Sequence, residues 1–192
     1  MARLTLNTAA WTEPGRRWPS YRGVICQQFA ADMTHYAAVM SELLPPFVIE
    51  VGRAHGGTAL FLADHMHGGL VISIDPKPAT VDHENLLCIE ASSTHPATID
   101  RVEGLTRGER GLILLDGDHD QHQVAAELDV YAPMADYLIV EDTIMADLAG
   151  METNGPHLAL ARWLPDHPEF RPDPDPSPTQ HPGGWLRRIP GG

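Results

Sequence analysis

Apolar residues along this chain come in short unbroken runs: FVIEV (47–51), LVISID (70–75), LLCIE (86–90), GLILLD (111–116) and YLIVED (137–142). Runs without polar alternation suit strands buried on both faces, and their alternation with helical segments predicts a mostly parallel sheet with helices on both sides, an α/β fold. AADMTHYAAVMSELL carries Met33, Ala37, Met40 and Leu44 at helical spacing, and Pro45-Pro46 stops it. TALFLADHMHGG predicts a second helix closed by Gly68-Gly69, THPATIDRVEGL and HQVAAELDVYA two more, and residues 156–164 another. The piece after Asp142 is irregular, RPDPDPSPTQHPGG reads as an extended loop, and WLRRI (185–189) as a last strand.

At 192 residues the chain predicts one domain. It divides into an N-terminal helical segment (1–45), an α/β core (46–165) and a proline-rich loop with the last strand (166–192). No apolar run approaches the roughly 20 residues that cross a bilayer. MARLTLNTAAWTEPGRRW also lacks the apolar stretch of a signal peptide, so a soluble, cytoplasmic protein is expected, with no membrane partner. The formal net charge of -13 argues against nucleic acid, whose phosphates need clustered Lys and Arg, and suits a cationic or metal-bearing ligand. Cys26 and Cys88 are too few for a disulfide framework and read as buried thiols.

Ligands of open α/β sheets bind at the carboxyl ends of the strands. Each of the five runs contains or ends in an acid: Glu50, Asp75, Glu90, Asp116 and the pair Glu141-Asp142. EVGRAHGG, with Gly52, Gly56 and Gly57, forms a glycine-rich strand-to-helix turn that lets a ligand approach the backbone. Asp75 follows Gly52 by roughly the 20 residues at which an acid meets a ribose diol, which together point to a nucleoside-containing cofactor. Ala54 stands where a dinucleotide fingerprint needs its second glycine, and Glu50 would repel pyrophosphate. The turn therefore favours S-adenosylmethionine, with its sulfonium and ammonium, over NAD. In EASST, Ser92 or Ser93 is placed to meet the adenine, or to cap a helix.

The stretch LLDGDHDQHQ sets Asp116, Asp118 and His119 beyond the fourth strand, beside Glu141 and Asp142 beyond the fifth. Carboxylates so crowded need a shared cation or proton, and an all-oxygen set selects a hard ion such as Mg²⁺. Such an ion lowers the pKa of a substrate hydroxyl, and His119 stands in reach as general base. His122 reads as a surface residue.

Taken in order, WPSYRGV, FVIEVGRAHGGTALFLAD, EASST, LLDGDHDQHQVAAEL, YLIVEDT and HPGGWLRRI resemble the cephalosporin hydroxylase-type family over roughly residues 16–189. These are class I S-adenosylmethionine-dependent O-methyltransferases that include antibiotic-tailoring and rhamnosyl enzymes. The resemblance implies a Rossmann-like, seven-stranded sheet ending in an antiparallel strand. It implies Glu50, Gly52, Gly56, Asp75 and Ser93 around the methyl donor, and Mg²⁺ held by Asp116 or Asp118 with Glu141 and Asp142. YAPMADYLIV departs from the family pattern in lacking a Pro-Gly-rich turn. The expected activity is methyl transfer to a hydroxyl of a small natural product or sugar, with the region from Thr143 to Asn154 in the acceptor pocket. The expected partner is that small molecule; a homo-oligomer is compatible with the sequence but not required by it. Two rivals share the fold, an NAD-dependent oxidoreductase and a non-catalytic small-molecule-binding protein.

Overall fold

The computed structural model describes residues 18–148, 150, 152–176 and 178–189. The signal-peptide reading, which rests on residues 1–18, and the first 17 residues of the expected N-terminal helical segment lie outside the described residues, Trp18 excepted. That segment is not wholly helical. It holds a small hairpin, β1 (Ser20–Tyr21) with β2 (Val24–Ile25), ahead of helix α1 (Ala30–Leu43). Strands of two residues have no periodicity to read, which is why the sequence pattern passes over them.

The core follows as β3 (Phe47–Val51), α2 (Gly57–Asp64), β4 (Leu70–Ile74), β5 (Leu86–Ile89), α3 (Pro96–Thr106), β6 (Gly111–Leu115), α4 (Gln121–Tyr131), β7 (Ala135–Val140), α5 (Pro156–Trp163), β8 (Phe170–Pro172) and β9 (Trp185–Arg188). The five aliphatic runs all become strands. α2 ends at Asp64, earlier than the glycine pair suggests: the His65 ring bonds back to the Phe61 carbonyl, and Gly68, at φ 90°, turns the chain into β4. The proline-rich stretch is not loop throughout, because Phe170–Pro172 pairs with β9 as an edge strand, where a proline is tolerated. A short 3-10 turn, Ala132–Met134, makes the link between α4 and β7 that the sequence left without a Pro-Gly turn.

The seven-stranded sheet runs β5-β4-β3-β6-β7-β9-β8; β5 to β7 are parallel, and β9 is antiparallel to both its neighbours. Side chains alternate along each strand, so Ile49, Ile113 and Leu138 pack under α3, α4 and α5, while Val48, Leu112 and Ile139 pack under α1 and α2. After β5 the chain returns to the far side of β3, so strand order reverses between β3 and β6, the place where such sheets open a crevice. Among the described residues no helix is long and apolar enough to cross a membrane.

Candidate functional site

The crevice between β3 and β6 opens into a cavity of about 750 Å³. Its wall is formed by the turns after β3, β4, β5, β6 and β7, with Trp18, Gln28 and Phe29 closing it from the segment before α1. Gly52 sits where the strands part, at φ 94°, and a Cβ there would stand 1.9 Å from the Asp116 carbonyl oxygen. The turn after β3 can therefore approach the turn after β6 only with glycine at 52.

Asp75 reaches the wall with its carboxylate fixed by two backbone donors, Ala54 N–H at 2.9 Å and Lys77 N–H at 2.7 Å. Each oxygen keeps a lone pair for a ligand hydroxyl. The wall carries Asp75, Asp116, Asp118, Glu127 and Asp142 against one lysine, Lys77, so the cavity suits a cationic ligand and disfavours diphosphate.

At the ends of β6 and β7 the structure brings together Asp116, His119 and Asp142, with one ligating atom of each within 4.8 Å of the others. His119 Nε2 lies 3.2 Å from Asp142 Oδ2 and 3.6 Å from Asp116 Oδ1, and it is buried without a hydrogen bond among the described residues. A buried nitrogen facing two carboxylates in no hydrogen-bond geometry is a donor set that fits a small divalent ion. It is a mixed nitrogen and oxygen set, whereas the sequence pattern suggested oxygens alone. Asp118 lines the cavity outside this trio, and its Oδ1 accepts the Asp120 N–H at 3.0 Å.

Glu141 also stands outside the trio. It is 1 % exposed, with Oε1 accepting from Tyr36 Oη at 2.9 Å and Oε2 accepting from Gln28 Nε2. The same Gln28 amide donates to Asp116 Oδ2 at 2.8 Å and so ties the two acids together. Burial first, then the neighbouring acids, push both the Asp116 and Glu141 carboxyls well above the carboxylate range. Beneath them His181 Nδ1 accepts the Asp142 backbone N–H at 2.8 Å, which leaves the ring proton on Nε2, 2.8 Å from Tyr36 Oη. Burial, and then His119, lowers the His181 pKa to about 3, so the ring is neutral. Asp142 has a left-handed backbone, φ 56°, with its N–H in this contact.

Several other expected site residues sit off the cavity wall. Glu50 is buried on the α1 and α2 face beside Ser73, its register partner, whose hydroxyl donates to Oε2; Oε1 has no hydrogen-bond partner among the described residues, and burial raises its pKa to about 7. Gly56 packs against Val81 and Gly57 against the Ile25 carbonyl, so both serve close packing of the turn. Ser92 and Ser93 do line the cavity, but the Ser93 hydroxyl is spent on Glu127, 2.6 Å away. His122 lies in the first turn of α4, where its backbone N–H donates to the Asp120 cap. Of the cysteines, Cys26 is buried and Cys88 only half-buried, at the lip of the sheet edge. Gln28, Tyr36, Glu127 and His181 belong to no strand-end motif. HPGG marks His181 as part of a pattern without saying what it touches.

A model of the rhamnosyl O-methyltransferase/CmcI family matches residues 17–189. The chain belongs to this family. Rhamnosyl O-methyltransferase of Mycobacterium tuberculosis (strain H37Rv) is 33% identical over 138 residues, 65% of this chain and 56% of its own length. The enzyme of that name from Mycobacterium leprae (strain TN) is 36% identical over 137 residues, 65% of this chain and 60% of its own. The chain thus spans little more than half the length of these relatives. Among solved structures, an apo form of CmcI superposes with a TM-score of 0.68 at 19% identity, covering 98% of this chain and 86% of that one. CmcI with Mg and SAM gives 0.66 at 18%, covering 98% and 87%. The methyltransferase MycE from the mycinamycin pathway, in complex with Mg, SAH and mycinamycin VI, gives 0.57 at 19%, covering 69% and 42%. Both CmcI and MycE share the Rossmann-like architecture found in this member of the rhamnosyl O-methyltransferase/CmcI family.

Proposed function

We propose that this chain is an S-adenosylmethionine-dependent O-methyltransferase that acts, with Mg²⁺, on a hydroxyl of a small natural product or sugar. The observation that carries the reading is one acidic cavity with Asp75 at the end of β4 and Asp116, His119 and Asp142 gathered at the ends of β6 and β7. The relatives' names, and the Mg, SAM and SAH present in the structures of CmcI and MycE, support it.

Asp75, prealigned by Ala54 and Lys77, accepts the ribose hydroxyls, and the parting of the strands at Gly52 gives the donor its backbone-lined floor. Asp116 and Asp142 offer the carboxylate oxygens for the ion, with Glu141 behind them as a buried support bonded to Gln28 and Tyr36. A bound divalent ion supplies Lewis acidity that makes a hydroxyl easier to deprotonate. His119 Nε2 takes the acceptor's proton, and the cavity wall orients acceptor and donor, where positioning does much of the catalysis.

A second role for His119 is favoured by its distances, 3.2 and 3.6 Å to the two carboxylates: third ligand to the ion rather than base. His119→Ala separates them. Loss of turnover with Mn²⁺ affinity kept identifies a base, and an affinity loss of about tenfold or more identifies a ligand.

The reading is tested by titration calorimetry of S-adenosylmethionine and its demethylated product into the purified chain. Absence of binding by both rejects it, and NADH binding in their place would favour the oxidoreductase. Undiminished methylation in excess chelator would remove the metal while leaving methyl transfer intact.

A further inference from the structure

Glu127 lies on α4, one helix turn beyond Gln123, at the end of the cavity next to Ser93 and Gly117. The residue is 1 % exposed. Its Oε1 is filled: Ser93 Oγ donates at 2.6 Å and Gln123 Nε2 at 2.9 Å. Its Oε2 is buried and has no hydrogen-bond partner among the described residues. A Cβ on Gly117 would sit 3.4 and 3.8 Å from the two carboxylate oxygens, so the absence of a side chain at 117 keeps the approach to Glu127 open. Buried acceptors are rarely left unpaired, and one on the wall of a ligand cavity marks where a ligand donor belongs.

The position of that acceptor fixes which part of a ligand meets it. Asp75 closes β4, and Ser93, after β5, is bonded to Glu127, Gln123 and Tyr131 of α4, so the segment after β5 folds back to α4 and the cavity wall continues from the ribose acid to the Ser93–Glu127 pair. With a ribose on Asp75, the group reaching Ser93 and Glu127 is the base. Ser93 cannot serve as the donor to it, since its hydroxyl is committed to Oε1.

We infer that Glu127 selects the donor's base, its Oε2 accepting a hydrogen bond from the exocyclic amino group of a 6-aminopurine. The inference rests on the methyl-donor reading above and adds the residue that reads the base. A 6-oxo base would set one lone pair against another at this atom. In Glu127→Gln, Ser93 and Gln123 still demand an acceptor, so they hold the amide oxygen and turn Nε2 toward the cavity. The altered side chain then donates, and its preferred base carries an oxygen at position 6.

Calorimetric titration of S-adenosylhomocysteine and S-inosylhomocysteine into the native chain and into Glu127→Gln tests this. The native chain is expected to favour the adenosyl compound by about 100-fold, as a site built to pair with a polar group rejects an analogue that lacks it. The variant should narrow that ratio by about tenfold or more, through both weaker adenosyl and stronger inosyl binding. A native ratio within about twofold of unity overturns the inference without any variant; so does a variant that keeps the native ratio. If the native chain binds neither compound, the methyl-donor reading itself fails and takes the inference with it.

Discussion

His181 is a buried ring whose two nitrogens face different tasks: Nδ1 holds the Asp142 N–H, and Nε2–H donates to Tyr36, which donates onward to Glu141. Removing the ring orphans the Asp142 backbone donor in the interior and takes from Tyr36 the hydrogen bond it accepts, leaving its bond to Glu141. His181→Ala should therefore cost about 2–4 kcal/mol in urea denaturation. Asn carries an acceptor near the place of Nδ1, and His181→Asn should recover about 1 kcal/mol of that loss and part of the Mg²⁺ affinity. Equal stability of the Ala and Asn variants would deny Nδ1 its acceptor role. At the same scale lies the reason that Glu50 and Glu141 stand apart from the cavity wall although both sit at strand ends. Glu50 alternates with Val48, and Glu141 with Tyr137 and Ile139, so both point to the side covered by α1, where Ser73 or Tyr36 receives them. Counting positions along each run would have placed them there. Nothing in the sequence names Gln28 or Tyr36 as their partners, because those contacts join residues over a hundred positions apart in two cases, Gln28 and Tyr36 to Glu141.

Between β3 and β6 the sheet parts at a single glycine. Gly52→Ala would add a Cβ 1.9 Å from the Asp116 carbonyl oxygen in a backbone conformation, φ 94°, that only glycine holds without strain. The variant should lose about 3 kcal/mol or more of stability, and its affinity for S-adenosylhomocysteine should fall with it. An alanine variant that melts with the native chain and binds the product equally well would show that the turn tolerates separation. The elements that the sequence predicts well are those whose signal is dense: five aliphatic runs with helices between them. Those it misses are the two-residue strands of the hairpin, and β8, hidden in a proline-rich stretch, whose pairing depends on β9 lying beside it. Asp116 and Asp142 were legible as strand-end acids. His119's orphaned Nε2 and Glu127's open oxygen were not, since a missing partner is a property of three dimensions.

Across the whole molecule two buried groups push stability in opposite directions with pH. Glu50 titrates near 7 when folded against an ordinary 4.5, so folding takes up a proton between those values and stability falls as pH rises through them. His181 stays neutral to about 3 against an ordinary 6.5, so stability also falls as pH drops below 6.5. Glu50→Gln should gain on the native chain between pH 4.5 and 7 and hold that gain above it, by about 3 kcal/mol at most, in denaturation series across pH. Parallel curves for the two proteins would mean that Glu50 ionises alike in both states. The crowded acids give a further expectation. Millimolar Mg²⁺ or Mn²⁺ should raise the melting temperature by several degrees, following saturation of the site, and the effect should vanish in Asp116→Asn. A shift of the same size in that variant would place the ion elsewhere.

The turn that carries His181 lies within the proline-rich stretch, after all five parallel strands, yet it props up an acid at the carboxyl end of β7. Biosynthesis then has an order to it. A polypeptide emerging from the ribosome can stack β3 to β7 and cover them, but Asp142 lacks the His181 ring until the turn around residue 181 has been made and docked. Competence in this molecule should switch on in one step, when the segment around His181 docks, rather than grow with each helix added.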